Sequence, residues 1–549
     1  MSSFTRDSKL RQSAVTLTKR EQHYENLKTF QVQNDVNSIA ANSQFLAYVD
    51  TTGTGSSLAV LPHSSTGKNH VPISSPAYAQ PIIRAHGQGI QDFEFSAFDP
   101  CQIFTCSTDK TIKMWQIPEE GLLIDVSAPA LSLALDDQSP VRGIAVNPAV
   151  RNILAGRGSR TVTLFDVEAG KSTLSNLSGV APAADYQSLG WSFRGDLLVT
   201  TAKDKMLRLF DPRSSGTTAS SALAHVGLRF CRSIWLGDSP YLLTCGHNNA
   251  QEREFMLWDS RNLSAGNVKR ERIDSSYGPI IPLFDADLNS LVLMGKGDSS
   301  VRLYEMDFST AEGVTPYAIS NNTVSTGASD VTKGACLLPK QANDLMSCEV
   351  MRILKLAEGS AQPISITVPR KEKFKFHEDL YPPSFSEAPE ALATAEWLSG
   401  ENRDRQRVTL VPKEGSVKFT SGTSSPLPTD SRSASPVPTD GETSGPPSRA
   451  VSKRFSTLTS TSKFRHMYGT ENTKETSFFN LAPDLSAMDS PIVAASEHYF
   501  AIPHRAGGGY ILFVSSCSSR SLKVTFVCAN CRRWACVRFS VEHLRQGGA

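Results

Sequence analysis

The sequence predicts an all-β protein, and two observations lead to this prediction. From about residue 36 to residue 370, short apolar runs such as Leu197 to Thr200 and Leu291 to Met294 alternate with Gly, Asp, Asn, Ser and Pro. Long stretches with the 3.6-residue periodicity of helices do not occur there. Strand-length apolar runs bounded by turn residues are typical of β-sheets.

The runs also recur as larger units, which is the second observation. The clearest units are FSAFDPCQIFTCSTDKTIKMWQI (95 to 117), WSFRGDLLVTTAKDKMLRLFDPR (191 to 213) and LFDADLNSLVLMGKGDSSVRLYEM (283 to 306). In each unit an Asp stands six residues before an aromatic residue: Asp109 and Trp115, Asp204 and Phe210, Asp298 and Tyr304. Two weaker copies end at Phe165-Asp166 and Trp258-Asp259.

This repeat, with a period of roughly forty to fifty residues, is the pattern of WD-repeat β-propeller blades. We expect the turn Asp to accept hydrogen bonds from amides of its own turn and from a neighbouring His, and the aromatic residue to fill the space between blades. His86, followed by Gly87, stands 23 residues before Asp109 and fits this partner role. These residues are therefore predicted to be structural.

Charge and cysteine usage exclude several classes of protein. Lys and Arg number 56 against 54 Asp and Glu, so no global field favours nucleic acid or an anionic membrane. The first six of the ten cysteines lie singly in apolar runs, which predicts buried thiols in a reducing compartment. The N-terminus has no signal-peptide pattern and no run of about eighteen apolar residues occurs, so we expect a cytoplasmic protein without integral membrane association.

The composition changes after the repeats. Ser, Thr, Pro and Gly dominate residues 413 to 460, and the sequence predicts a disordered linker over 402–461. Residues 462–514 then repeat the beginning of the chain at an offset of 454 residues. Ser462-Lys463-Phe464-Arg465 matches Ser8-Lys9-Leu10-Arg11, and Leu512 and Val514 match Leu58 and Val60. We interpret 462–514 as the incomplete start of a second propeller and 515–549 as an unrelated tail.

Several motifs resemble the coronin family. They are TIKMWQIPEEGL (111 to 122), KDKMLRLFDPR (203 to 213), GKGDSSVRLYE (295 to 305) and VPRKEKFKFHEDLYPP (368 to 383), followed by EWLSG (396 to 400). The duplication is most similar to the tandem, long form of the family, here cut off early in its second propeller. The resemblance implies that residues 1–401 form a seven-bladed propeller closed by N-terminal strands, with an extension from 376 to 401 along its underside.

The resemblance also implies a non-enzymatic, cytoskeletal function in binding actin filaments. In coronins a basic residue after a Tyr-x-x-Ile stretch contacts the filament, and here Tyr24-Glu25-Asn26-Leu27 is followed by Lys28. Lys9, Arg11 and Arg20 extend this basic segment, so these four residues are the candidate actin-binding residues. No coiled-coil heptads follow residue 401, which predicts a monomer. An adaptor in Golgi or vesicle trafficking, or in ubiquitin-ligase assembly, is the alternative.

Catalytic and metal chemistry finds little support in the sequence. Cys528, Cys531 and Cys536 have zinc-like spacing and His543 could be a fourth ligand, but incidental thiols in an unstructured tail explain them better. Cys245 and His247 could suggest a nucleophilic pair, but a blade loop is the simpler explanation. We therefore predict no catalytic residue, no metal and no cofactor.

Overall fold

A computed structural model describes residues 8, 10, 12–30, 37–52, 55–68, 80–135, 138–174, 184–214, 218–310, 313–325, 330–372, 376–385 and 389–411, and further on 494–495, 499–504, 510–515 and 524–528. The chain divides into two compact units, Met1–Pro426 and Leu427–Ala549. No helix within these described ranges is long and apolar enough to span a membrane.

The strands of the first unit are short and follow one another closely. In chain order they are β1 (Ala14–Leu17), β2 (Tyr24–Glu25), β3 (Ile39–Ala41), β4 (Phe45–Asp50), β5 (Ser57–Pro62), β6 (Gly67–Lys68), β7 (Ile82–Ile83), β8 (Ile90–Phe95), β9 (Gln102–Ser107), β10 (Thr111–Gln116), β11 (Leu131–Ala134), β12 (Gly143–Val146), β13 (Ile153–Arg157), β14 (Val162–Asp166), β15 (Lys171–Leu174), β16 (Tyr186–Trp191), β17 (Leu198–Ala202), β18 (Met206–Phe210), β19 (Thr218–Leu223), β20 (Arg232–Trp235), β21 (Tyr241–His247), β22 (Arg253–Asp259), β23 (Lys269–Asp274), β24 (Ile280–Asp285), β25 (Ser290–Gly295), β26 (Ser300–Asp307), β27 (Thr315–Ser325), β28 (Gly334–Leu337), β29 (Glu349–Ala357) and β30 (Ser360–Thr367). One α-helix, α1 (Thr394–Leu398), follows the strands, and 3-10 turns lie at Arg20–Gln22, Leu263–Ala265, Lys340–Ala342 and Leu345–Ser347.

These strands form seven blades, antiparallel except where β6 pairs with β2 in parallel, so the predicted seven-bladed all-β propeller is confirmed. Blade 1 has the strand order β3-β4-β5-β7, and blades 2 to 6 are successive four-stranded sheets from β8–β11 to β24–β27. Blade 7 takes β28, β29 and β30 from the end of the unit and β1 and β2 from its start. Within the described residues the only α-helix is the five-residue α1.

The N-terminal strands close the ring. Strand β1 runs antiparallel to β30, with Ala14 opposite Thr367 and Leu17 opposite Ile364, while β2 pairs with the other end of β30. Since β1 and β2 come from the opposite end of the unit, the last blade is completed by the first part of the chain. Because of this pairing, blade 7 has no unpaired edge where the two ends of the ring meet.

The hydrophobic core is distributed around the ring rather than collected in one centre. Each of seven buried clusters in the described part of the chain lies between two consecutive blades. One example joins Val49 and Leu58 of blade 1 to Ile103 and Trp115 of blade 2. No single blade has a core of its own, so each depends on its neighbours for burial of its apolar side chains.

The antiparallel connections define two faces. The top face carries the connections between blades and the turns between the second and third strands of each blade, and the bottom face carries the remaining turns. Residues 376–385 and 389–411 follow β30 along the bottom face. There Ala391 N donates to Ala149 O (2.8 Å) in blade 3, and Arg407 pairs with Asp238 (2.6 Å) in blade 5.

The predicted linker begins later than residue 402. Ser384 and Val408 exchange two backbone hydrogen bonds of 2.8 and 2.7 Å, and Leu410 is buried. Residues 402–411 therefore belong to the bottom-face extension, because backbone pairing and arginine contacts hold them there. The rest of the predicted linker, from residue 412, lies outside the described residues.

The second unit contains one four-stranded sheet among its described residues. Its strands are β31 (Ala494–Ala495), β32 (Tyr499–His504), β33 (Tyr510–Ser515) and β34 (Val524–Cys528), paired in that order. Ala494 lies opposite Ala501, just as Ala40 lies opposite Ala47 in blade 1.

The gapless match between the two copies does not extend through this hairpin. Leu46 pairs with Leu61 in blade 1, whereas Phe500 pairs with Val514, one residue earlier than an offset of 454 predicts. The second copy therefore has a shorter turn between these strands, and Leu512 and Val514 are not the structural equivalents of Leu58 and Val60. Strand β34 comes from the predicted unrelated tail.

Candidate functional surfaces of the propeller

Lys28 lies on the top face, in the connection from blade 7 to blade 1. The backbone on both sides of it is fixed: Leu27 N donates to Gly359 O (2.9 Å), and Phe30 N donates to Val49 O (3.0 Å). The Lys28 carbonyl accepts from Thr51 N (3.0 Å). The side chain is exposed and forms no ion pair with any described residue. Lys28 is thus an available positive charge on a rigid backbone.

The other predicted basic residues differ in their surroundings. The Arg20 side chain is 82% exposed and forms an ion pair with Glu25. The hydrogen bond and charge of Glu25 raise the pKa of Arg20. Lys9 and Arg11 lie outside the described residues. The structure therefore places Arg20 and Lys28 in the same N-terminal segment but leaves only Lys28 without a carboxylate partner.

Blade 2 contains a buried hydrogen-bonded set of four side chains. His86 Nδ1 lies 2.9 Å from Asp109 Oδ2, and His86 Nε2 lies 2.8 Å from Thr105 Oγ1. Trp115 Nε1 donates to the same Thr105 hydroxyl at 2.9 Å. Asp109 also accepts from the backbone N–H of Thr111 in its own turn (3.0 Å). This set links the top-face connection to strands β9 and β10 and to the turn between them.

The ionisation of Asp109 follows from this geometry. Burial alone would raise the pKa of its carboxyl, but hydrogen bonds from His86 and Thr111 outweigh burial and hold the pKa well below its usual range. A carboxyl whose pKa is lower in the folded state than in the unfolded state contributes stability above its unfolded pKa of about 3.9 and loses it as the pH falls further. Asp109 therefore stabilises the blade throughout the neutral range.

Blade 5 contains an equivalent set that the sequence reasoning missed. His225 bonds to Glu254 and to Thr244 at 2.9 Å each, and Trp258 Nε1 donates to Thr244 Oγ1 at 2.9 Å. The acid is Glu rather than Asp, and it stands 29 residues after the His. One signal could have found it: His225 precedes Thr244 by 19 residues, the same spacing as His86 and Thr105.

The other two turn aspartates have arginine partners instead of histidines. Asp204 pairs with Arg208 in its own blade (2.5 Å) and accepts from Met206 N (3.0 Å). Asp298 pairs with Arg253 of the preceding blade (2.6 Å) and accepts from Ser300 N (2.9 Å). The predicted turn geometry is present in all three blades, but the His partner occurs only with Asp109.

The remaining predicted residues occupy regular positions. Phe210, Trp258 and Tyr304 each lie in a cluster between consecutive blades. Asp259, at the end of β22, accepts from the backbone N–H of Arg261 (3.0 Å). We find the same arrangement at Asp166, Asp211 and Asp307, which accept from the backbone two residues further on.

Substitution of Asp204 tests the structural interpretation. Asp204→Ala should destabilise the propeller by about 1–3 kcal/mol, because it leaves the buried Arg208 guanidinium without its carboxylate. Chemical denaturation of the full chain measures this change. Asp238→Ala, which removes a partly exposed pair with Arg407, is the matched control and should cost less than about 0.5 kcal/mol. Unchanged stability of Asp204→Ala together with lost partner binding would contradict a structural role.

The Cys245 and His247 pair has no access to solvent. Cys245 and His247 are 2% and 1% exposed, and burial raises the pKa of the Cys245 thiol. Burial, followed by the charge of Arg229, lowers the pKa of His247. All six cysteines in the described propeller residues are free and buried, which confirms their prediction as buried thiols. Of the residues in the zinc alternative, Cys531, Cys536 and His543 lie outside the described residues.

The blade architecture and its His–acid–Thr–Trp sets define a WD-repeat β-propeller. A family model for the WD domain, G-beta repeat, matches residues 79–116, and a model for a type of WD40 repeat matches 361–405. A model described as a domain of unknown function, DUF1899, matches twice, over 3–68 and 458–520. The chain belongs to the coronin family, as its relatives show.

Coronin-A of Dictyostelium discoideum is 32% identical over 76% of this chain and 90% of its own length. Coronin-7 of Bos taurus is 33% identical over 76% of this chain, but the chain spans only 43% of that protein. Among solved structures, the WD40 domain of Toxoplasma gondii coronin is 31% identical, covers 73% of this chain and 98% of its own, and superimposes with a TM-score of 0.65.

Proposed function

We propose that this chain is a non-enzymatic scaffold that binds actin filaments through the basic part of its top face and organises the actin cytoskeleton. The observation that carries this proposal is Lys28, which is exposed and stands at the position where the coronin pattern has its filament-contacting basic residue. Membership of the coronin family supports the choice of partner.

Electrostatics also favours this part of the top face as the surface that binds actin filaments. An actin filament is acidic, so an uncompensated positive charge on a rigid connection provides attraction and register. Arg20 contributes less because Glu25 neutralises it. Lys28 replaces the Arg of the family pattern and so lacks the planar fork that binds carboxylates in a bidentate way. We expect binding that depends on charge and weakens as salt screens it over about 10 Å at 0.1 M.

Charge reversal at Lys28 is the direct test. Lys28→Glu should weaken binding to filaments about three- to tenfold, because it replaces attraction by repulsion. Co-sedimentation of the full chain with actin filaments at two salt concentrations measures this effect. Lys171→Glu, at an exposed lysine on the outer strand of blade 3, adds the same charge change elsewhere and should pellet like the wild type. Equal pelleting of wild type and Lys28→Glu at low salt would exclude this site.

An adaptor in Golgi trafficking or ubiquitin-ligase assembly is the second candidate, since the chain is similar to Coronin-7 as well as to Coronin-A. The same assay separates the two functions. Failure of the wild type to pellet with filaments, with localisation away from actin structures in cells, would favour the adaptor.

A further inference from the structure

A cationic cavity of about 500 Å³ opens on the top face at the mouth of the central channel. Its walls come from blades 2 to 6 and the connections between them, and from Asn37 on the connection from blade 7 to blade 1. The cationic side chains in its lining are Arg142, Arg157, Lys203, Arg229 and Arg232, and they face the carboxylates of only two aspartates. The lining thus has an excess of three positive charges, compared with an excess of two for the whole chain.

The rim of this cavity is also apolar. Leu228 is 86% exposed and Tyr277 is 67% exposed, and both line the cavity. Leu228 lies on the connection from blade 4 to blade 5, and Tyr277 lies on the next connection. The Arg229 guanidinium stacks over the Tyr277 ring at 5.0 Å from its centroid. Large side chains this exposed beside a concave cationic surface are typical of recognition sites.

One positive charge at the rim, that of Arg229, is available to a ligand. Arg229 is exposed and forms no ion pair with the described residues, whereas the exposed Lys203 forms an ion pair with Asp185 at 3.5 Å. Arg253, in contrast, lies beneath the same region and is held by two carboxylates at 2.5 and 2.6 Å. The interior Arg253 charge is therefore compensated within the fold, whereas Arg229 at the cavity mouth has no carboxylate partner among the described residues.

We propose that this cavity binds an acidic peptide segment of a partner protein. The carboxylates of the segment pair with Arg229 and Lys203, and one large hydrophobic side chain packs against Leu228 and Tyr277. The wall amides of Gln91 and Gln187 suit the peptide backbone, and the volume lies within the roughly 300–1,000 Å³ of ligand pockets. A planar membrane does not fit a concave site, and the aliphatic rim suits a peptide better than a polyphosphate.

Fluorescence anisotropy with the full chain tests this proposal. The probe is the fluorescein-labelled decapeptide Asp-Glu-Asp-Phe-Glu-Asp-Asp-Leu-Glu-Glu. We expect saturable binding that weakens with salt, about tenfold weaker binding by Arg229→Glu, and about three- to tenfold weaker binding by Leu228→Ser. Lys171→Glu is the matched charge control and should bind like the wild type, because Lys171 lies exposed on the outer strand of blade 3 and does not line the cavity.

Three results would overturn the proposal. They are no saturable binding by the wild type, equal binding of a peptide in which every Asp and Glu is replaced by Asn and Gln, or unchanged binding by both Arg229→Glu and Leu228→Ser. Tighter binding of phosphatidylserine vesicles or of an oligothymidylate than of the peptide would assign the cavity to another ligand. Thermal unfolding by circular dichroism verifies that each variant is folded.

Discussion

Replacement of Arg253 by methionine should destabilise the propeller by about 3 kcal/mol, because breaking a buried ion pair leaves its partners uncompensated. Arg253 is 1% exposed and binds Asp274 of its own blade and Asp298 of the next one. Asp274 keeps a second partner, Arg302, at 2.7 Å, so most of the loss should arise at Asp298. Urea denaturation of the full chain, monitored by tryptophan fluorescence, measures the change.

The pH dependence of this variant has a definite sign. Burial tends to raise the pKa of Asp274, but Arg253 and the backbone of Ser276 lower it overall. The stability that this carboxylate contributes is present above its unfolded pKa of about 3.9 and is lost as the pH falls through its lower folded value. The difference in the free energy of unfolding between wild type and Arg253→Met should therefore have its full size at pH 7 and become smaller below about pH 4.

Arg261→Met is the matched control for Arg253→Met. Arg261 pairs with Asp259 in the same blade, but its side chain is 64% exposed, so its loss should shift the unfolding midpoint very little. If both variants unfolded at the same urea concentration, burial of the Arg253 pair would not be what stabilises the contact between blades 5 and 6.

Trp397→Ala should release the bottom-face extension and cost about 3–5 kcal/mol. The Trp397 side chain is fully buried in the cluster between blades 3 and 4. Its Nε1 donates to Gly195 O at 2.8 Å, and its ring meets Trp191 edge to face at 5.9 Å. Substitution removes a large apolar surface and leaves a carbonyl without its donor.

Two measurements on Trp397→Ala distinguish local release of the extension from a loss of overall stability. Limited proteolysis should cut within 389–411 sooner than in the wild type, and chemical denaturation should show the lower stability. Leu398→Ala, at a 38% exposed position on the same helix, should change stability by less than about 0.5 kcal/mol. Wild-type resistance of Trp397→Ala to protease would show that other contacts suffice to hold the extension.

The blades could be predicted from the sequence because their signals are local. The spacing from Asp109 to Trp115 depends on one tight turn and one strand, and it recurs at Asp204 and Asp298. The complete count of seven blades required the family resemblance, since the pairing of β1 with β30 joins segments that share no repeat signature. The length of the extension was underestimated because Val408 and Leu410 are fixed by tertiary contacts.

The functional surfaces were less predictable. The blade 5 set was missed because Glu254 replaces Asp and lies after the longer turn from Asn248 to Glu252. Arg253 could not be assigned because its two partners stand 21 and 45 residues further along the chain, outside the turn pattern of its own blade. Exposure of Leu228 and Tyr277 also has no sequence signature, since similar residues elsewhere are buried. The actin-binding prediction at Lys28 came from family resemblance, and the structure adds its exposure and its fixed backbone.

The pairing of β1 with β30 also has a consequence for biosynthesis. Ala14 and Thr367 lie opposite each other. The ribosome must therefore add about 350 residues after the first strand before the partner strand has been synthesised. At a translation rate of about 5–20 residues per second, this delay is on the order of 20–70 s. During that time the growing stack of blades exposes an unpaired edge and an uncovered apolar surface. The nascent chain therefore needs protection from aggregation that the finished ring does not.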